Sequence, residues 1–333
     1  MTPVELSRTV LRAVRRAVEV GELSVVVPER VLVTVPGAGG CGDYATNVAL
    51  QLARPAGRTA GEVAGIIRPH LRAAPGIADV AITGPGFLNI SLDRAAATGA
   101  LVSEILRRGS RYGHGDALAG QVVELRVPYD TRAEVVADTL VRIVGSQGGR
   151  AEVRHAEPVN LRPVPAPEDP ALLGPDAARW ALLHPAPHDR PRITADHLVQ
   201  RASNPLFRVR YAHARTRALS RNAAALGYTG APGDLPEARD LPNTPSAPSA
   251  PLADLAEYPR VLTAAATHRS PDRLARHLVT VADAFLGYQH TVLPLGDEKP
   301  SAAHRARLAL AEAAGAVLAG GLSLLGISAP EYL

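Results

Sequence analysis

The sequence predicts an α+β domain first, then a single βαβ unit, then an all-α helical bundle. Three observations carry this. Residues 1–115 alternate helical apolar spacing with short strand-like runs, the pattern of mixed α+β domains. Residues 121–156 contain QVVELRV, AEVVADTLVRIVG and AEVRHA, a buried strand, an amphipathic helix and a second strand. From about residue 171 onward the runs are amphipathic and helical, which is how a bundle is written. The division that follows is 1–115, 116–195 and 196–333.

In the first part the spacing predicts helices at 4–20, 43–54, 59–73 and 93–109, with strands at 30–35, 77–83 and 87–92. The opening helix is arginine-rich and apolar at Val4, Leu11, Val14 and Val18. Glu5, Glu19 and Glu22, with no apolar core between them, argue for an ordinary amphipathic helix rather than a targeting segment. In the second part Asp130 and Thr131 offer short side-chain oxygens to orphan backbone N–H groups, so a helix begins there. One βαβ unit is too small to be a complete doubly wound domain. Residues 156–176 and 229–251 are dense in proline, which denies helix and central strand, and read as linkers or long loops. Helices are expected at 176–184, 195–203, 204–227, 255–268, 272–292 and 304–326. No run is expected to be long and apolar enough to span a bilayer.

Composition narrows the function. With 333 residues and 46% hydrophobic content the chain can fill real cores, as a water-soluble globular protein does. Cys41 is the one cysteine, which excludes an intramolecular disulfide or a cysteine-based zinc site and suits the cytoplasm. A formal charge of +4 permits nucleic-acid binding without requiring it. Lys299 is the only lysine, so no Walker motif exists.

Gly37, Gly39 and Gly42 satisfy the dinucleotide spacing G-x-G-x-x-G, with Glu62 near the expected acidic distance. The continuation opposes a cofactor, because a second helix follows where a second parallel strand is needed. Glu62 then sits early in that helix, where it favours the dipole. The expected form is a flexible glycine loop capped by Asp43. His184 and His188 are four apart, but Pro185 and Pro187 prevent the helix that would align them on a metal. Neither G-x-S-x-G nor any cofactor or metal signature is present.

The strongest local feature is SNPLFRVRYAHARTRALSRNAAALG, residues 203–227. Asn204 and Pro205 start a helix and Gly227 ends it. Arg210, Arg217 and Arg221 share one face, while Arg208 and Arg215 point elsewhere beside Tyr211. Guanidinium groups grip phosphates and stack on bases, and a tyrosine adds a stacking surface. An RNA-facing helix and a solvated bundle helix paired with acids elsewhere both remain open.

At these residues a resemblance enters. GDYATNVALQLARPAGRTAGEVAGII (42–67) and ITGPGFLNISL (82–92) resemble the additional N-terminal domain of arginyl-tRNA synthetases. NPLFRVRYAHAR (204–215) and the closing segment from LVTVADAFLGYQHTV to ISAPEYL resemble that family's helical DALR anticodon-binding domain. LLGPDAARWALL (172–183) is similar to the segment leading out of its catalytic core. Where the family carries a paired-histidine motif, PYDTRAEV stands after the strand VVELRV, and the lysine-containing ATP loop has no counterpart before residue 172. The resemblance therefore implies a remnant of the Rossmann catalytic domain at 116–195, and loss of adenylate chemistry.

It also implies site residues. Phe87 and Asn89 match the pair that approaches a D-loop base, with a core phenylalanine as the other reading of Phe87. Tyr211 and Arg215 match anticodon-proximal positions, with Tyr332 and Leu333 near the anticodon. Arg208 and Arg210 depart from the family pattern and could grip phosphate instead. The implied function is non-catalytic binding of tRNA, an arginine isoacceptor first. The rivals are residual ligase or aminoacyl-transfer activity, and a module that binds a protein partner such as a synthetase.

Overall fold

The computed structural model describes residues 3–34, 36, 37, 40–233, 235 and 251–333. Gly39 of the glycine spacing, residue 35 of the first expected strand and most of the 229–251 linker lie outside the described residues. The chain forms two compact units, Met1–Thr98 and Gly99–Leu333. The fold class is α+β followed by a helical unit that carries a small parallel sheet.

The first unit holds α1 (Pro3–Glu19), β1 (Val33–Thr34), β2 (Tyr44–Thr46), α2 (Val48–Ala56), α3 (Ala60–Arg72), β3 (Ile77–Thr83) and β4 (Phe87–Leu92). The strands form one antiparallel sheet in the order β1-β2-β4-β3. Alternation along β4 sends Leu88 and Ile90 into a core shared with Val63, Ile67 and Leu71 of α3 and Val10 and Val14 of α1. Phe87, Asn89 and Ser91 therefore lie on the opposite face. Thr59 and Glu62 close a capping box at the start of α3, which gives Glu62 a helix-starting role.

Residues 43–47 are not the start of a helix. Asp43 accepts from the Leu92 N–H and donates its own N–H to the Ile90 carbonyl, so it is drawn onto β4, and 44–46 continue as a strand. Asn47 takes the N-cap position of α2 instead. The glycines nearby answer a steric demand. A Cβ on Gly42 would lie 2.8 Å from the Ile90 carbonyl oxygen, and one on Gly40 would lie 3.1 Å from the Asn89 amide oxygen. Gly42 also holds φ +79°, which favours glycine.

The boundary between the units falls within α4 (Arg94–Arg108), at residue 98 rather than near 115. The reason is packing: Val102 and Ile105 of α4 belong to the core of the second unit. That unit continues with β5 (Val122–Arg126), α5 (Thr131–Ser146), β6 (Arg150–Arg154), α6 (Gly174–Leu183), α7 (Pro205–Ala225), α8 (Leu252–Thr267), α9 (Pro271–Tyr288) and α10 (Ala302–Leu325). β5 and β6 are parallel with α5 crossing between them, and one continuous core joins α5 to α6 through α10. The proline-rich chain after β6 is a packed loop. Asn160 satisfies the Arg126 N–H and the Glu124 carbonyl, and Leu161 is buried.

Two expectations fail here. Residues 195–203 form only a 3-10 turn, Ala195–Leu198. The Asn204 amide donates to the carbonyls of His197 and Val199, which holds this segment against the start of α7 and prevents its own helix. α10 is long and apolar enough, by length and composition, to cross a membrane. Its most apolar window is 78% buried within the fold, which explains that apolarity as a core helix of the unit.

Gly320 on α10 provides a sharp test of that packing. In an exposed helix Gly→Ala gains about 1 kcal/mol. Here the new Cβ would lie 2.5 Å from the Ser110 carbonyl oxygen, a backbone atom that cannot swing away. Gly320→Ala is expected to destabilise the unit by about 1–3 kcal/mol. Thermal melts followed by Trp180, the single tryptophan and fully buried on α6, would show a lower midpoint, whereas a raised midpoint would refute the close contact.

Candidate nucleic-acid interface

In the first unit the candidate site is the β3–β4 hairpin. Gly84 and Gly86 turn it at φ +53° and +135°, and a Cβ on Gly86 would strike the backbone of Ala60 at 2.7 Å, so the turn is seated on the start of α3. Phe87 follows this turn and is 41% exposed, which is surface placement for an aromatic ring. Asn89 is only 2% exposed, and its amide donates to the Thr83 hydroxyl at 2.6 Å. Asn89 thus braces the hairpin that carries Phe87, and its amide is not presented to solvent.

In the second unit the candidate site is α7 with residues 327–333 laid beside it. Asn204 caps α7 by accepting from the N–H groups of Leu206 and Phe207, and Pro205 occupies the first turn. Phe207 and Tyr211, one helical turn apart, stack with ring centroids 5.5 Å apart. Both rings are half-buried. Sequence reasoning passed over Phe207, although the i, i+4 aromatic spacing was its signal.

The arginines fall on the two sides anticipated, but they are engaged within the fold. Arg208 pairs with Asp283 of α9 at 3.0 Å, and Arg215 donates to the Gln289 side chain at 2.9 Å. On the other side Arg210 reaches Ser328 at 3.3 Å and Asp176 at 3.7 Å, and Arg217 pairs with Glu331 at 3.0 Å. Arg221 lies over the Tyr332 ring at 4.3 Å, a cation–π contact. His213 bonds the Pro330 carbonyl at 2.9 Å, and burial lowers its pKa despite that bond. The arginine face therefore grips the 328–332 segment of its own chain. Tyr332 and Leu333 remain exposed, and Leu333 borders a cleft of about 280 Å³ with Leu206, Phe207, Arg210 and Asp176.

The carboxyl end of β5, where an open α/β sheet normally holds its ligand, is occupied by the chain itself. Asp130 caps α5 by accepting from the Ala133 N–H at 2.9 Å. The next residue but one, Arg132, is 1% exposed and donates to the carbonyls of Leu182, Val164, Asp189, Pro185 and Ala186 at 2.7–3.0 Å. All five guanidinium N–H groups are used. His184 and His188 do not converge on a metal: His184 stacks on Trp180 at 5.1 Å, His188 is exposed, and no group of potential metal ligands exists among the described residues.

The helical unit, with an aromatic and arginine-bearing helix flanked by the closing segment of the chain, has the form of an anticodon-binding domain. Comparison with known proteins agrees. Residues 209–333 match the DALR anticodon binding domain and residues 5–92 match the arginyl tRNA synthetase N terminal domain. The arginine–tRNA ligase of Renibacterium salmoninarum is 44% identical over 161 residues, 44% of this chain and 29% of that protein. The corresponding ligase of Paenarthrobacter aurescens is 40% identical over the same length, again 29% of its own chain. The arginyl-tRNA synthetase structure from Thermus thermophilus aligns over the full length of both chains, with TM-score 0.53 and 14% identity, a likeness of fold. This chain is an arginyl-tRNA synthetase-related protein that carries both end domains of that family. The matched segments span under a third of the length of these ligases.

Proposed function

We propose that this protein binds tRNA without aminoacylating it, in the cytoplasm, with an arginine isoacceptor as its ligand. The observation that carries the reading is the Phe207–Tyr211 stack on α7, within a turn of the start of the matched anticodon-binding domain, with Phe207 and Leu333 bordering one cleft. Aromatic rings that are only half-buried offer surface on which an unpaired base can stack, and Phe87 offers an exposed ring on the first unit. Because the α7 arginines are already paired, base stacking contributes more here than phosphate grip from that helix. The non-catalytic half of the reading is supported at β5, where Arg132 and the loops it holds fill the ligand crevice. Transfer of adenylate needs cationic groups that face the phosphates, and this guanidinium faces five carbonyls.

Titration against arginine tRNA, a second tRNA and a duplex RNA, at low and near-physiological salt, tests the reading. Preference for the arginine tRNA that survives salt is expected. Tyr211→Ala and Phe87→Ala are each expected to weaken binding by about 1–3 kcal/mol, roughly five- to a hundredfold. Equal binding of all three, lost with salt, would mean only a basic surface. Arginine-dependent ATP–pyrophosphate exchange above background would refute the non-catalytic half.

A further inference from the structure

We propose that the cleft between the end of α6 and α9, bordered by Arg190, Arg192 and Arg276, is a phosphate-binding site. It measures about 490 Å³, and His184, His197 and Asp189 complete its wall. Phosphate recognition favours guanidinium groups that are free, convergent and held on ordered chain. The arginines of α7 fail the first condition, since Asp283, Asp176 and Glu331 engage them. Arg107 and Arg108, beside another cleft, both pair with Glu104. Arg190 and Arg192 are exposed, and neither side chain has a hydrogen-bond or ion-pair partner among the described residues.

The segment that presents them is ordered by the core. Arg132 binds the carbonyls of Pro185, Ala186 and Asp189, and the Val164 N–H donates to Pro187 at 2.8 Å. Pro191 is buried between the two exposed arginines, so they leave the loop from a pinned point. Arg276 approaches from α9 and is held only loosely, 3.9 Å from Asp189 and 3.7 Å from Asp272. The C-terminal end of α6 opposes an anion with about half a charge. Three guanidinium groups against that end and the carboxylates of Asp189 and Asp272 still leave a positive balance, carried by Arg190 and Arg192.

Two sources could supply the phosphate: the backbone of an RNA, which rests on the tRNA reading above, or a small phosphorylated ligand, which does not. Salt titrations with tRNA and calorimetry with inorganic pyrophosphate separate them, on the full chain and on Arg190→Ser/Arg192→Ser. As a control, Arg150→Ser/Arg154→Ser removes equal charge from the surface of β6. If RNA is the source, the slope of log K against log salt becomes shallower by about 1.5, from roughly 0.7–0.9 per phosphate contact, in the first variant only. If tRNA does not bind yet pyrophosphate does, and the first variant loses it, the phosphate site stands with a small ligand and only the tRNA reading falls. Tight tRNA binding with an unchanged slope and no bound pyrophosphate overturns the site and leaves the tRNA reading intact. An equal loss in the control variant also overturns it, and binding of neither probe overturns both.

Discussion

Arg132→Ala is expected to destabilise the second unit by about 3–5 kcal/mol, the cost of opening a buried, fully bonded ionic site. The argument is one of satisfaction. The guanidinium is buried at the first turn of α5, and each of its N–H groups meets a carbonyl of the 164 or 182–189 loops. Removing it strands five acceptors in a place water reaches poorly, and each stranded group costs about 1–3 kcal/mol before relaxation. Burial of the cation is itself opposed, since desolvation lowers its pKa while Asp130, Asp189 and Asp272 raise it. Arg132→Lys separates charge from geometry: an ammonium keeps the charge, but its donors sit on one nitrogen and cannot span carbonyls that three guanidinium nitrogens reach, so it should restore less than half of the loss. Urea unfolding followed by Trp180 reads the second unit alone, because that residue is the only tryptophan and sits on α6. A change under 1 kcal/mol would show that the loops hold without their hub.

Much of the fold was legible because local chemistry and tertiary packing agree. Thr59 and Glu62 announce the start of α3, Asp130 that of α5, Asn204 and Pro205 that of α7, and each does cap there. The β5–α5–β6 unit is legible in its helix for the same reason, while the strand expected to be buried is fully buried only at Leu125, with Val122 60% exposed. What escaped depends on partners distant in sequence. Tyr44–Thr46 reads as the first turn of a helix until Asp43 and β4 are brought together, a separation of 49 residues at the Leu92 bond. Asn89, matched to a base-reading position by resemblance, escaped for a more local reason: it is buried, and its amide is held by Thr83 across the hairpin. The arginines of α7 show the limit of composition most plainly. Their spacing correctly sorted them onto two sides, yet no acid occurs within the helix, and the residues that neutralise them lie at 176, 283 and 331.

The second unit is also expected to lose stability as the pH falls from about 6.5 to 4, with His184 as the largest single cause. Burial against Trp180, reinforced by Arg276, His197 and Arg208, depresses its pKa from 6.5 to about 4. For a base whose folded pKa is lowered, the unfolded chain takes up the proton first. The stabilisation is complete above 6.5, declines through the interval, and is exhausted at about 4, where the folded form also protonates. A shift of this size corresponds to about 3 kcal/mol at the bottom of the window. His213, His277 and His304 are lowered by burial as well and act in the same direction. Paired carboxylates such as Glu104 and Asp138 have lowered pKa values, so their losses come mainly below the ordinary carboxylate range and overlap little with this window. His184→Gln keeps a polar planar group without the titration, and its urea midpoint should vary less between pH 6.5 and 4.5 than that of the parent chain. Trp180 provides a second readout, because an imidazolium stacked on indole quenches its fluorescence. Quenching in the native protein is expected only near pH 4; quenching with a midpoint near 6.5 would mean that His184 is open to water and that the window has another cause.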